Sequence, residues 1–167
     1  MLICRLGRHG CDQTEPLRRC LDTAESGTRL DCRLRRMTTT SAGPGNVLIV
    51  EDDPDIRKML AVLLSNEGFY AVAAEDGLEA LHLLRAVRHR APNTPCLVLL
   101  DLKMPRLSGN EFRRAQLSDP VLASVPVAVM SGAADLQKRA DALGAVATLT
   151  KPIDFERLLN VVRRYCA

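Results

Sequence analysis

From about residue 46 onward the sequence alternates five times between a short apolar run and a longer stretch with one apolar face. Val47, Leu48, Ile49 and Val50 form the first run, and Cys96-Leu97-Val98-Leu99-Leu100 forms the third. Runs this short and continuously apolar read as strands buried on both faces, which is the signature of a parallel sheet. Between the first two runs the apolar residues change to helical spacing. Ile56, Met59, Leu60, Leu63 and Leu64 fall at i, i+3, i+4, i+7 and i+8 and so line one side of a helix. Asp53-Pro54 supplies its N-cap and first residue, and Gly68 stops it.

The same reading places a second strand at Tyr70–Ala74 and a second helix, capped by Asp76, from Gly77 to about Arg88. A fourth strand is expected over 125–130, a helix over 134–143 ended by Gly144, and a fifth strand over 146–150. Asp154 then caps a last helix whose Phe155, Leu158, Leu159 and Val162 share a stripe. Strands and helices in strict alternation imply right-handed crossovers and helices on both faces of the sheet: a doubly wound α/β fold.

The chain has 167 residues, room for one domain and a modest appendage. Residues 1–36 carry eight Arg, four of the six Cys and no sustained period, and residues 38–45 read as a flexible linker. The expected division is a poorly ordered extension and linker over 1–45 and a globular domain over 46–167. Met37, just before the polar lead-in, is an alternative translation start. The formal net charge of +3 arises wholly within residues 1–36, where eight bases face five acids; the remainder is balanced at fifteen each. A neutral domain lacks the basic face that nucleic acid requires, so no direct nucleic-acid contact is expected. The spacings of Cys4, Cys11, Cys20 and Cys32, with His9 nearby, match no compact zinc knuckle. All six cysteines are read as unpaired reduced thiols. No apolar run approaches a membrane span, and charge interrupts the N-terminus too early for a signal peptide. A cytoplasmic protein is expected.

In a parallel sheet the residues that follow the strands gather along one edge, where such folds bind ligands. Glu51 and Asp52 follow the first run, Asp101 the third, Ser131 the fourth and Lys151 the fifth. Three crowded carboxylates repel unless a cation joins them. Mg2+, with its preference for oxygen ligands and phosphate, is the natural counter-ion. Asp101, alone at its strand end, is then the candidate nucleophile, with Ser131 and Lys151 supplying a hydroxyl and a positive charge for phosphoryl oxygens.

These residues sit in four stretches: Val47 through Pro54, Leu100-Asp101-Leu102-Lys103-Met104-Pro105-Arg106-Leu107-Ser108-Gly109, Met130-Ser131-Gly132-Ala133, and Thr150-Lys151-Pro152. In order and spacing they resemble the receiver domain of two-component response regulators. The resemblance covers residues from about 46 to the end. It implies a CheY-like, flavodoxin-like sheet in the order 2-1-3-4-5. It makes Asp101 the phosphoacceptor, and Asp52, Asp101 and the backbone carbonyl of Lys103 the Mg2+ ligands, with Glu51 acting through a metal-bound water. Ser131 becomes the switch hydroxyl and Lys151 the phosphoryl-pairing lysine, commonly followed by a cis bond to proline.

The partners implied are a histidine kinase or histidine phosphotransfer protein as donor and a downstream protein as reader, the chain being a monomer or a phosphorylation-dependent dimer. With no output domain after the last helix, a stand-alone switch is expected, not a turnover enzyme. Two features depart from the family. Thr148 stands where an aromatic switch residue is common, and Lys103, two residues after the acceptor, is placed to alter the lifetime of a phosphorylated state. A phosphorylation-independent interaction module is the competing reading. An aspartate-nucleophile phosphatase is the other, and Lys103 occupies the position where such enzymes place an acid. Arg106, Arg113 and Arg114 are read as a solvated face, with docking charges as the alternative, and His82 and His89 as surface residues of the second helix.

Overall fold

The computed structural model describes residues 45–87, 94–132, 134 and 136–166. The expected extension over 1–45, with its early cysteines and His9, falls almost wholly outside the described residues, and His89 lies outside them too.

Ten elements alternate: β1 (Asn46–Val50), α1 (Pro54–Asn66), β2 (Tyr70–Ala74), α2 (Gly77–Val87), β3 (Leu97–Asp101), α3 (Gly109–Leu117), β4 (Val127–Ser131), α4 (Leu136–Ala142), β5 (Ala147–Thr150) and α5 (Phe155–Cys166). The strands form one parallel sheet in the order β2-β1-β3-β4-β5. This is the doubly wound topology expected from the sequence, with the reversal of winding between β1 and β3.

Side-chain alternation along the strands divides the core in two. Leu48, Val50, Val98, Leu100, Val127 and Val129 face α2, α3 and α4, where Leu84, Phe112 and Ala140 meet them. Their neighbours Val47, Ile49, Leu97, Leu99, Ala128 and Met130 face α1 and α5, against Leu60, Leu64, Leu158 and Val162. Every residue of β3 is buried, as a central strand covered on both faces must be.

Local signals hold the helix ends. The Asp53 side chain accepts hydrogen bonds from the amides of Asp55 and Ile56, Asp76 from Glu79, and Asp154 from Arg157. Gly68 and Gly144 take positive φ values of 87° and 58° where α1 and α4 end, a backbone region that other residues enter at a cost. Ser108 and Glu111 close a reciprocal capping box at the start of α3.

Two expectations are corrected. Cys96 and Cys166 are joined by a disulfide across seventy residues of sequence, because α5 packs back along the sheet and ends beside the residue that precedes β3. The backbone records the same proximity: Gly45 N–H donates to the Cys166 carbonyl and Cys96 N–H to that of Asn46. Arg113 does not belong to a solvated face. Its side chain is buried, with Nε and Nη2 donating to the carbonyls of Leu143 and Gly144 and Nη1 to Gln116 Oε1. Gln116 in turn donates to the carbonyls of Leu122 and Val125. Arg106 and Arg114 are exposed, and Arg106 pairs with Glu75 and Asp76. His82 is exposed as expected.

Candidate functional site at the carboxyl edge of the sheet

β3 lies between β1 and β4, so Asp101 is flanked by the ends of both. Glu51 and Asp52 continue from β1, whose last ladder bond runs from the Glu51 amide to the Ala74 carbonyl. Ser131 closes β4, buried, and the Lys151 amide donates to its carbonyl. Lys151 follows β5, one strand further out, and its long stem brings the ammonium back to the centre. Its Nζ lies 2.6 Å from Asp101 Oδ2 and 2.9 and 2.8 Å from the two carboxylate oxygens of Glu51. Asp101 Oδ1 accepts from the Lys103 amide at 3.0 Å. The Lys151–Pro152 peptide bond is cis.

One carboxylate oxygen each from Glu51, Asp52 and Asp101 lies within 4.8 Å of the others. Glu51 is almost wholly enclosed, whereas Asp52 is exposed, so the cluster is open on one side. Burial pushes the Glu51 carboxyl above the usual range. The hydrogen bond from Lys151 works against that shift, and the charges of Asp101 and Asp52 add to it. For Lys151, burial disfavours the ammonium, but hydrogen bonds to Asp101 and Glu51 outweigh it and raise the group's pKa. Three carboxylates against one ammonium leave a surplus of negative charge among hard oxygen donors. That chemistry fits a divalent cation of the Mg2+ type.

Residue 109 explains how the loop after β3 stays close to Asp101. A Cβ on Gly109 would collide with the Asp101 carbonyl and lie 2.8 Å from Leu102 Cα, so α3 can begin against the end of β3 only with glycine there. Lys103 is exposed beside the site. Thr148 lies on β5, and its hydroxyl is 3.3 Å from Gln137 Oε1 on α4. Arg57, which sequence reasoning passed over, turns back from α1 and donates through Nη1 to the carbonyls of Glu51 (2.6 Å) and Asp52 (2.9 Å).

The family model for the response regulator receiver domain matches residues 47–163. The chain belongs to that family. Among its relatives, Protein Rrf1 of Nitratidesulfovibrio vulgaris is 34% identical over 124 residues, covering 74% of this chain and 84% of its own. Sporulation initiation phosphotransferase F of Bacillus subtilis is 32% identical over 122 residues, covering 71% and 91%. Among solved structures, a response regulator receiver protein from Pseudomonas putida is similar at a TM-score of 0.62 and 31% identity, covering 74% of this chain and 99% of that one. The Vibrio cholerae chemotaxis protein CheY4 gives 0.62 and 28%, covering 73% and 98%. Within this receiver, the acids, hydroxyl and lysine read from the four motifs all lie at the same edge of the sheet. No helix among the described residues is long and apolar enough to cross a membrane.

Proposed function

We propose that this receiver is a stand-alone phosphorylation switch whose acceptor is Asp101. The observation that carries the reading is the Lys151 ammonium held against Asp101 and Glu51 with Asp52 alongside. A carboxylate oxygen of Asp101 attacks the phosphorus of a phosphohistidine on a histidine kinase or phosphotransfer protein. The P–N bond breaks, its electron pair returns to the imidazole, and an aspartyl phosphate forms. Asp52, Asp101 and the backbone carbonyl of Lys103 would hold Mg2+, with Glu51 contributing through a water. When bound, the metal supplies the positive charge that lets three carboxylates and a phosphoryl group share one site. Lys151 pairs with a phosphoryl oxygen and Ser131 turns its hydroxyl toward another.

Ser131 and Thr148 are the proposed switch residues. Thr148 stands where many receivers carry an aromatic side chain, and its contact with Gln137 ties β5 to α4 directly. Phosphorylation shifts a pre-existing equilibrium in the face formed by α4, β5 and α5, which a downstream protein reads, as a monomer or through a phosphorylation-dependent dimer. The location proposed with this reading is the cytoplasm, and the proposed division is residues 1–45 as an appendage to the switch and 46–167 as the receiver.

Intact mass after incubation with acetyl phosphate and Mg2+ tests this reading. A phosphoryl-sized gain that requires Mg2+ and is lost in Asp101→Ala is expected. The same gain in Asp101→Ala would move the acceptor elsewhere, and no gain from acetyl phosphate or from any phosphohistidine donor would leave the chain an interaction module.

A further inference from the structure

Past the end of β1 the chain leaves the sheet, so the carbonyls of Glu51 and Asp52 have no ladder neighbour to bind. Both are instead taken by one guanidinium nitrogen, Arg57 Nη1, at 2.6 and 2.9 Å. Arg57 sits near the N-terminus of α1, where the helix dipole disfavours a cation, and its stem runs back over the cap. The backbone of the same short segment is closed a second time, because the Arg57 amide donates to the Asp53 carbonyl while the Asp53 side chain caps Asp55 and Ile56. The segment bearing both acids is thereby held at each residue: Glu51 by β2 and Arg57, Asp52 by Arg57, and Asp53 by the first turn of the helix.

We infer that Arg57 is a positioning residue for the acidic pair, setting the backbone from which Glu51 and Asp52 present their carboxylates to a divalent cation. This inference rests on the Mg2+ reading of the site. Exposed Asp52 has most to gain, since neither the sheet nor buried packing orients it. A clamp and a simple charge predict opposite signs. If Arg57 acted only as a cation near a dication, its removal would tighten metal binding. If it holds the loop, its removal weakens metal binding, because the carboxylates must then be ordered when the metal arrives. Loss of a group that orients metal ligands typically lowers affinity by about 10–100-fold.

Calorimetric titration of the full chain with Mg2+ alone, without any phosphoryl donor, separates the two. Arg57→Met is expected to keep its fold by circular dichroism and lose about ten-fold in Mg2+ affinity. Arg57→Lys, which retains the charge and a donor on a shorter stem, recovers part of the loss, and amide exchange at residues 51–53 quickens in Arg57→Met while β3 stays protected. Should Arg57→Met fail to fold, Arg57→Gln, uncharged and two bonds shorter, carries the same expectation. Equal or tighter Mg2+ binding in a folded Arg57→Met or Arg57→Gln protein overturns the clamp. A wild-type chain that binds no Mg2+ overturns the site reading itself, and the clamp with it.

Discussion

The Lys151 ammonium stands between Asp101 and Glu51, closing onto residues fifty and one hundred positions earlier in the chain. It is the cation that makes a buried Glu51 tolerable beside Asp101. Replacing Lys151 by Met therefore leaves two enclosed carboxylates facing each other. We expect the metal-free protein to lose about 2 kcal/mol, below the full cost of breaking a buried pair because the lysine is partly exposed. Added Mg2+ should recover much of it. Thermal melts in chelator and in Mg2+ make the comparison, and an unchanged Tm in chelator would show that the ammonium does not stabilise the cluster.

The raised pKa of Glu51 has a defined sign. Its folded-state value lies above its unfolded value because of burial first, then the neighbouring acids. The folded protein thus binds that proton more tightly, and the stability this gives is lost as pH rises through the folded value. In chelator, Glu51→Gln should be more stable than wild type near neutrality, and the difference should shrink in mild acid. Denaturant midpoints across pH for both proteins measure it; a gap that widens on acidification would contradict the assignment.

Gly109→Ala should be costly despite adding one methyl group. The new Cβ meets backbone at Asp101 and Leu102, which no side-chain rotation relieves. A loss of roughly 1–3 kcal/mol is expected, together with slower phosphorylation at saturating acetyl phosphate, because the displaced backbone is that of Asp101, the proposed acceptor. Urea unfolding beside the mass assay reports both.

Arg113→Met removes three donors from beside the end of α4 and leaves the part-buried carbonyls of Leu143 and Gly144 and the buried Gln116 Oε1 to find other partners. About 2 kcal/mol should be lost. Amide exchange should quicken at residues 143–146 more than at β1, which lies outside this network.

Reducing the Cys96–Cys166 bond opens a loop spanning seventy residues. The chain-entropy account puts its contribution at about 4 kcal/mol. A reductant should lower the Tm of wild type and leave Cys166→Ser unaffected; equal responses would mean the bond contributes nothing in solution.

Features carried by neighbouring residues were legible in the sequence. Asp53, Asp76 and Asp154 announce helix starts, Gly68 and Gly144 announce ends, and the four motifs mark the sheet edge. Boundaries moved where an apolar run outlasts its strand. Val125 reads as strand, but its amide turns to Leu122, and the ladder begins only with the Pro126 carbonyl. Likewise α4 starts at Leu136, later than the spacing implied. Nothing near Arg113 in sequence shows that its two carbonyl partners lie about thirty residues on, and no cysteine spacing rule joins Cys96 to Cys166. Arg57 escaped for the same reason: it acts through backbone atoms, which leave no trace in residue types.

β5 forms one border of the sheet, laddered among the described residues to β4 alone, yet the side chain just beyond it is fastened to the acid at the sheet's centre. Centre and border therefore share one electrostatic account. On the proposed switch reading, a change in the charge of Asp101 would reach this border strand through a single flexible stem, so information made in the interior would need only one residue to arrive at the rim.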